Sequence, residues 1–286
     1  MIALDSLDLV DATRIVAAAL AEDLAGAGDL TSNALVAERR RGRGDFVARA
    51  DGVMAGAPVV ELVYRTLHAD VTWEWFAEGC AFRRGARLGT VEGPSGLLLT
   101  GERVALNLLQ RLCGVATLTR RYVDELAGTG VTLLDTRKTT PGLRRLERYA
   151  VRVGGGHNHR MGLYDRVLIK DNHLALAGAP SEAVRTAKTQ CPGISIEVEV
   201  TTVEGFLDAC RAYPDWVLLD NMGLAALCRC VELRNAMPSP RPHLEASGGV
   251  TLETVRDVAS TGVDAVSVGA LTHAAPWVDI ALEMTP

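Results

Sequence analysis

The chain has 286 residues, 48% of them apolar, and 30 Lys plus Arg against 35 Asp plus Glu give a formal net charge of −5. That length predicts one large domain or two ordinary ones with ample core, and the apolar content argues against disorder. The mild acidity argues against a general nucleic-acid binder, and no apolar run reaches the ~18 residues of a membrane span.

The opening, MIALDSLDLVDA, is acidic and lacks the basic region of a signal peptide. Residues 8–21 read as an amphipathic helix, followed by a turn-rich loop, DLAGAGDLTSNAL. ERRRGRGD (38–45) reads as a charged, solvated hairpin tip. From about 45 to 100 the segments FVARADGVMAGAPVV, VTWEWFAEG, ARLGTVEG and SGLLLT read as short strands with glycine turns. Residues 101–127 carry apolar positions at three and four spacing and predict a long helix.

After Gly130 the pattern changes. Short apolar strands, 131–136, 166–171, 194–200, 216–221, 243–249 and 265–271, alternate with helical stretches. Six β-then-α units in about 150 residues imply a parallel sheet and an α/β barrel, complete or incomplete. Each strand ends in a chemical group: Arg137 and Lys138, Lys170, Glu199, Asp220, Ser247-Gly248-Gly249, and Gly269-Ala270. In α/β barrels those carboxyl ends form one rim, where active sites sit.

Charge is unevenly spread. From Arg137 to His173 stand nine Lys or Arg against three acids, a +6 window that leaves −11 elsewhere. Only three of the 30 cations are Lys, and two of them, Lys138 and Lys170, lie in that window. The window reads as a site for a small polyanion at the barrel mouth, since Arg forks match carboxylates and phosphates. GGGHNHR (154–160) reads as a flexible lid or a plain loop. Glu199 and Asp220, on neighbouring strands, are a carboxylate pair able to hold Mg²⁺, grip ribose hydroxyls or stabilise an oxocarbenium-like carbon. Asp135 and Glu197 are weaker candidates, Asp135 as an interior residue and Glu197 as one pointing away. The glycines after the last two strands suit phosphate. Neither a P-loop nor GxGxxG is present. The six Cys are scattered without a CxxC pair, which predicts reduced thiols of a cytoplasmic protein and no zinc site.

The stretch DTRKTTPGLRRLERYAVRVGGGHNHRMGLYDRVLIKDNH resembles the signature region of the quinolinate phosphoribosyltransferases. AEDLAGAGDLTS, GERVALNLLQRLCGVAT, EVEV, LLDNM, ASGGV and SVGALTH follow the family order across the chain. The resemblance implies an α/β fold: an N-terminal α/β sandwich domain (1–109), then an open, incomplete TIM-like barrel (110–286) whose last helix packs back on the first domain. It implies transfer of the 5-phosphoribosyl group of phosphoribosyl pyrophosphate to quinolinate, with Mg²⁺, giving nicotinate mononucleotide, pyrophosphate and CO₂. By the same resemblance Arg137, His159, Arg160 and Lys170 bind the quinolinate carboxylates, and Arg103 reaches them from the other subunit of a homodimer or larger assembly. Lys138, Glu199 and Asp220 surround the phosphoribosyl pyrophosphate and its metal, while Ser247 to Gly249 and Gly269 to Leu271 cradle the 5-phosphate. His157 and Cys113 depart from the commoner family residues. The alternatives are a paralogue acting on another acid, nicotinate-type or from a molybdenum operon, and a non-catalytic nucleotide-binding barrel.

Overall fold

The computed structural model describes residues 4–37 and 40–285. They form two compact units. The first comprises the chain up to Arg120, Thr139–Gly155 and the chain from Ala270 onward; the second comprises Arg121–Lys138 and Gly156–Gly269. In chain order the elements are α1 (Ser6–Leu24), α2 (Leu30–Leu35), β1 (Arg41–Ala48), β2 (Gly52–Val53), α3 (Ala57–Thr66), β3 (Thr72–Trp75), β4 (Ala81–Phe82), β5 (Arg87–Pro94) and α4 (Ser95–Glu125). There follow β6 (Thr132–Leu134), α5 (Arg144–Gly154), β7 (Val167–Ile169), α6 (Asp171–Ala177), α7 (Pro180–Gln190), β8 (Ile196–Val200), α8 (Val203–Cys210), β9 (Trp216–Asp220), α9 (Leu224–Ala236), β10 (His243–Ser247), α10 (Val255–Ser260), β11 (Ala265–Ser267), α11 (Ala270–His273) and β12 (Ile280–Thr285). Among the described residues no helix is long and apolar enough to cross a membrane.

The first unit is built on an antiparallel sheet in the order β12-β1-β5-β3. Phe46, Tyr64, Leu88, Leu98 and Leu109 are wholly buried there, each contributing about 1.5–3 kcal/mol by leaving water. Several sequence expectations change in this unit. The turn-rich loop holds α2, capped by Asp29, whose carboxylate accepts the Ser32 N–H at 2.9 Å. Residues 41–45, expected in a hairpin tip, are the start of β1, while residues 38–39 lie outside the described residues. The strand was masked because its packed face is glycine. A Cβ at Gly42 would meet Ser95 Oγ at 2.7 Å, and one at Gly44 would meet Leu282 Cδ1 at 2.8 Å. Residues 57–60, expected in a strand segment, instead open α3, which has Pro58 in its first turn and buries Val59, Val60, Val63 and Tyr64 at helical spacing. SGLLLT is likewise the first turn and a half of α4. The closing segment is no helix: β12 pairs antiparallel with β1.

The second unit is the expected open α/β barrel. Its six parallel strands run β6-β11-β10-β9-β8-β7, so chain-neighbouring strands pair from β7 to β11 and β6 closes on β11. Among the described residues β6 and β7 do not pair with each other, and there the barrel is open. The segment expected as a lid fills that side. His157 joins β6 as an isolated parallel bridge, its N–H donating to Leu133 O at 2.8 Å and its carbonyl accepting from the Asp135 N–H at 3.0 Å. It wedges its main chain against β6.

Strand alternation decides what faces inward. Arg166 and Lys170, two residues to either side of Leu168, bind Glu197 and Glu199 respectively. Glu197 and Glu199 therefore share one face of β8, and the expectation that Glu197 points away is corrected. A spacing of two cannot put side chains on opposite faces of a regular strand.

Candidate active site

The rim is set by the strand ends. Arg137 and Lys138 follow β6, Lys170 follows β7, Glu199 lies near the end of β8, Asp220 closes β9, Ser247 closes β10 and Gly269 follows β11 by two residues. His159 and Arg160 come from the wedge before β7. Arg103, exposed on α4, and Ala270, the first residue of α11, belong to the first unit.

On the cationic side Arg160 is buried and Arg137 half-buried. Burial, and then the neighbouring Arg137 charge, lower the pKa of the Arg160 guanidinium. Two guanidiniums that repel each other gain from a shared anion. Lys170 Nζ donates to Glu199 Oε2 at 2.7 Å, with the Lys side chain 46% exposed and the Glu side chain 10%. Lys138 is exposed, its main-chain N–H donating to the Thr136 hydroxyl at 3.1 Å.

The window of nine cations divides. Arg144, Arg145, Arg148 and Arg152 lie on α5 in the first unit. There Arg152 pairs with buried Asp8 at 2.5 Å, and Arg145 lies 3.3 Å from Asp11. Four charges that sequence alone assigned to the barrel mouth thus lie on a helix of the other unit, and two of them, Arg145 and Arg152, are paired with acids there. Arg137, Lys138, Arg160, Arg166 and Lys170 remain.

On the opposite side of the rim Asp220 Oδ2 accepts the Asn221 side-chain amide at 2.6 Å, and the Asn221 N–H donates to Ser247 O at 2.9 Å. The Ser267 hydroxyl donates to the Ser247 hydroxyl at 2.9 Å. Gly248 and Gly249 both sit at positive φ, +89° and +62°. A Cβ on Gly248 would lie 2.3 Å from Asn221 Oδ1, so this turn admits no side chain, while the Cβ position of Gly249 faces open space. Glycines here let a ligand approach the main chain closely.

Below the rim, inside the barrel, lies a group that the strand-end argument passed over. Asp135 Oδ1 accepts the His159 N–H at 2.8 Å, and its Oδ2 accepts the Asn158 side-chain amide at 2.6 Å. Both ring nitrogens of His159 are engaged internally: Nδ1 accepts the Arg160 N–H at 2.7 Å, and Nε2 lies 3.2 Å from Glu197 Oε2 and 3.3 Å from Glu245 Oε2. Burial works against a charged imidazole, while the two glutamates favour it. Burial, reinforced by Glu197, raises the pKa of Glu245. The signal for these glutamates was available: an acid inside a short strand, ahead of its carboxyl end and flanked by apolar residues, as in IEVEV and HLEAS.

Fold and rim together are those of an α/β barrel whose cationic and glycine-bearing strand ends suit a small polyanion. Known proteins make the assignment specific. The family model for the quinolinate phosphoribosyl transferase C-terminal domain matches residues 115–283, and that for the N-terminal domain matches residues 29–113. The nicotinate-nucleotide pyrophosphorylase (carboxylating) of Mycobacterium leprae is 42% identical over 285 residues, covering 96% of this chain and 98% of its own. A probable enzyme of the same name from Synechocystis is 42% identical over 268 residues, covering 93% and 90%. The solved nicotinate-nucleotide pyrophosphorylase of Francisella tularensis superposes with a TM-score of 0.89 at 34% identity, over 96% of each chain. The chain belongs to the quinolinate phosphoribosyltransferase family. Both curated relatives bear the name of the carboxylating pyrophosphorylase.

Proposed function

We propose that this rim joins quinolinate to the phosphoribosyl group of phosphoribosyl pyrophosphate, releasing pyrophosphate and CO₂ and yielding nicotinate mononucleotide for NAD synthesis. The observation that carries the substrate assignment is the buried Arg160 held beside Arg137. A dicarboxylate relieves their repulsion, with Lys170 as a third cation, and in doing so aims the pyridine nitrogen at the anomeric carbon.

The ring-nitrogen lone pair forms the new N–C bond as the C–O bond to pyrophosphate breaks, and that electron pair leaves with pyrophosphate. Glu199 and Asp220 stabilise positive character at the sugar carbon, and Lys138 offsets charge on the leaving group. Ser247, Gly248, Gly249, Gly269 and Ala270 hold the 5-phosphate. In the pyridinium product the adjacent carboxylate loses CO₂. The electrons of that bond pass to the ring carbon, which then takes a proton. His159 serves the acceptor through Arg160, since both its ring nitrogens are used inside the barrel.

Glu199 and Asp220 offer hard oxygen donors at adjacent strand ends, and that donor set fits Mg²⁺ bound jointly with a substrate pyrophosphate. When bound, the ion lowers the charge developing on the leaving oxygens. The exposed Arg103 is assigned to the quinolinate site of a second copy in a homodimer. The cysteines, all free thiols, support a cytoplasmic site of action.

Incubation with quinolinate, phosphoribosyl pyrophosphate and Mg²⁺ is expected to give nicotinate mononucleotide and CO₂. Turnover of nicotinate in place of quinolinate would overturn the substrate assignment. Mixing Arg103→Ala with Lys170→Ala subunits, each impaired alone, is expected to restore activity. No recovery on mixing rejects the shared site.

A further inference from the structure

Glu197 is wholly buried in the middle of β8. A carboxylate so placed must be met by charged or hydrogen-bonding partners. Its Oε2 lies 3.3 Å from Arg166 Nη1 and 3.2 Å from His159 Nε2. The same two partners meet again at Arg160. The Arg160 N–H donates to His159 Nδ1 at 2.7 Å, and its guanidinium Nη1 donates to the main-chain O of Arg166 at 3.1 Å. Glu197, His159, Arg160 and Arg166 thus close a circuit in which Glu197 is the anion.

The tautomer settles what this cluster is. Its three ligand-type atoms, on His159, Glu197 and Glu245, lie within 4.8 Å of one another, as in a metal site. A ligating imidazole would offer a bare Nε2 and donate from Nδ1. Here Nδ1 accepts an N–H, so Nε2 carries the ring proton and points it at the carboxylates. The cluster is a hydrogen-bonded strut.

We propose that Glu197 is a positioning residue for the acceptor half of the site: from one oxygen it holds His159 and Arg166, and through them it fixes both the main chain and the guanidinium of Arg160. This rests on the reading of Arg160 as a carboxylate binder. The proposal explains why a charged residue occupies an otherwise apolar strand interior. It also explains why the wedge carrying His159 and Arg160 has a set position on the open side of the barrel.

The test is steady-state kinetics of Glu197→Gln, an isostere that keeps an acceptor for His159 but removes the charge facing Arg166. The KM for quinolinate is expected to rise about tenfold or more, as for loss of a charge-assisted hydrogen bond. The KM for phosphoribosyl pyrophosphate should stay within about twofold, because Glu199, which shares β8 with Glu197, is held by Lys170 rather than by His159 or Arg166, and that ligand's other groups hang on other strands. An unchanged quinolinate KM, or an equal rise in both, overturns the proposal. Should Glu197→Gln fail to fold, Arg166→Met breaks the circuit at another corner and should raise the same KM selectively, by about threefold or more. A quinolinate KM unmoved in that variant likewise overturns it. Absence of quinolinate turnover in the wild-type protein would instead reject the functional reading beneath.

Discussion

Each unit of the molecule buries charge, and the two do so differently. In the first, Glu147 is wholly buried, and its Oε1 accepts from Arg111 Nε at 3.0 Å, Arg111 Nη2 at 2.7 Å and the Thr140 hydroxyl at 2.7 Å. Its Oε2 accepts the Thr140 N–H at 3.0 Å, while Arg111 also donates to the carbonyls of Thr272 and Ala275. One anion meets one cation, and the remaining valences are filled. In the second unit two buried glutamates converge on one imidazole, and Glu197 Oε1 and both Glu245 oxygens lack a well-aligned hydrogen bond. The first arrangement is a lock that ties the loop after Lys138 to α4 and α5. The second holds charge in reserve directly beneath a rim that must receive a multiply charged substrate. Burial alone does not distinguish structural charge from functional charge; completeness of pairing does.

The sharpest way to break this comparison is to unlock the first centre. Arg111→Met leaves Glu147 buried without its cation and is expected to cost about 3–5 kcal/mol in urea unfolding. A cost below about 1 kcal/mol would show that the pair is no lock. Lys170→Ala comes next. It should lower kcat/KM by about 10²-fold or more. Stability should stay within about 1 kcal/mol, since its bond to Glu199 is half exposed. Near-normal turnover would remove Lys170 from the site. The smallest effect is expected for Glu245→Gln, about 1 kcal/mol or less near neutrality, because burial already holds that carboxyl toward its neutral form. Its pH trend is the finer probe. A carboxyl whose pKa is raised on folding binds more protons folded than unfolded, so the wild type should lose stability relative to the variant as pH climbs above the ordinary value of 4.5. A difference that moves the other way would mean Glu245 is stabilised as an anion.

Much of the second unit was legible in the sequence. Its strands are apolar runs that end in polar groups, and periodicity plus the strand-end rule located Lys170, Glu199, Asp220 and Ser247 on one rim. Glu197 and Glu245 were not found there, because the same rule discounts residues below the rim. The first unit was harder to read. In β1 the packed face is occupied by Gly42 and Gly44, which carry no hydrophobic signal, and α3 and the start of α4 are rich in Val and Leu that suit either element. The division of the basic window was not legible at all. Nothing local to Arg145 or Arg152 shows that their partner is Asp8, far away in the chain.

The pairing of β12 with β1 bears on how the chain is made. Thr285 and Arg43 are partners 242 residues apart in sequence. During synthesis β1 leaves the ribosome early, whereas the strand that completes its sheet emerges only after all six strands of the other sheet. The inserted barrel is therefore able to finish folding before its host does. Contacts of such long range make the host slow to close, and in the interval one side of β1 is an open edge able to capture another nascent chain. Arg41, Arg43 and Asp45 lie along that edge, and charged side chains of this kind discourage edge-to-edge association. These charged residues, interleaved with the glycines that hid this strand in the sequence, are thus placed to protect it while it waits.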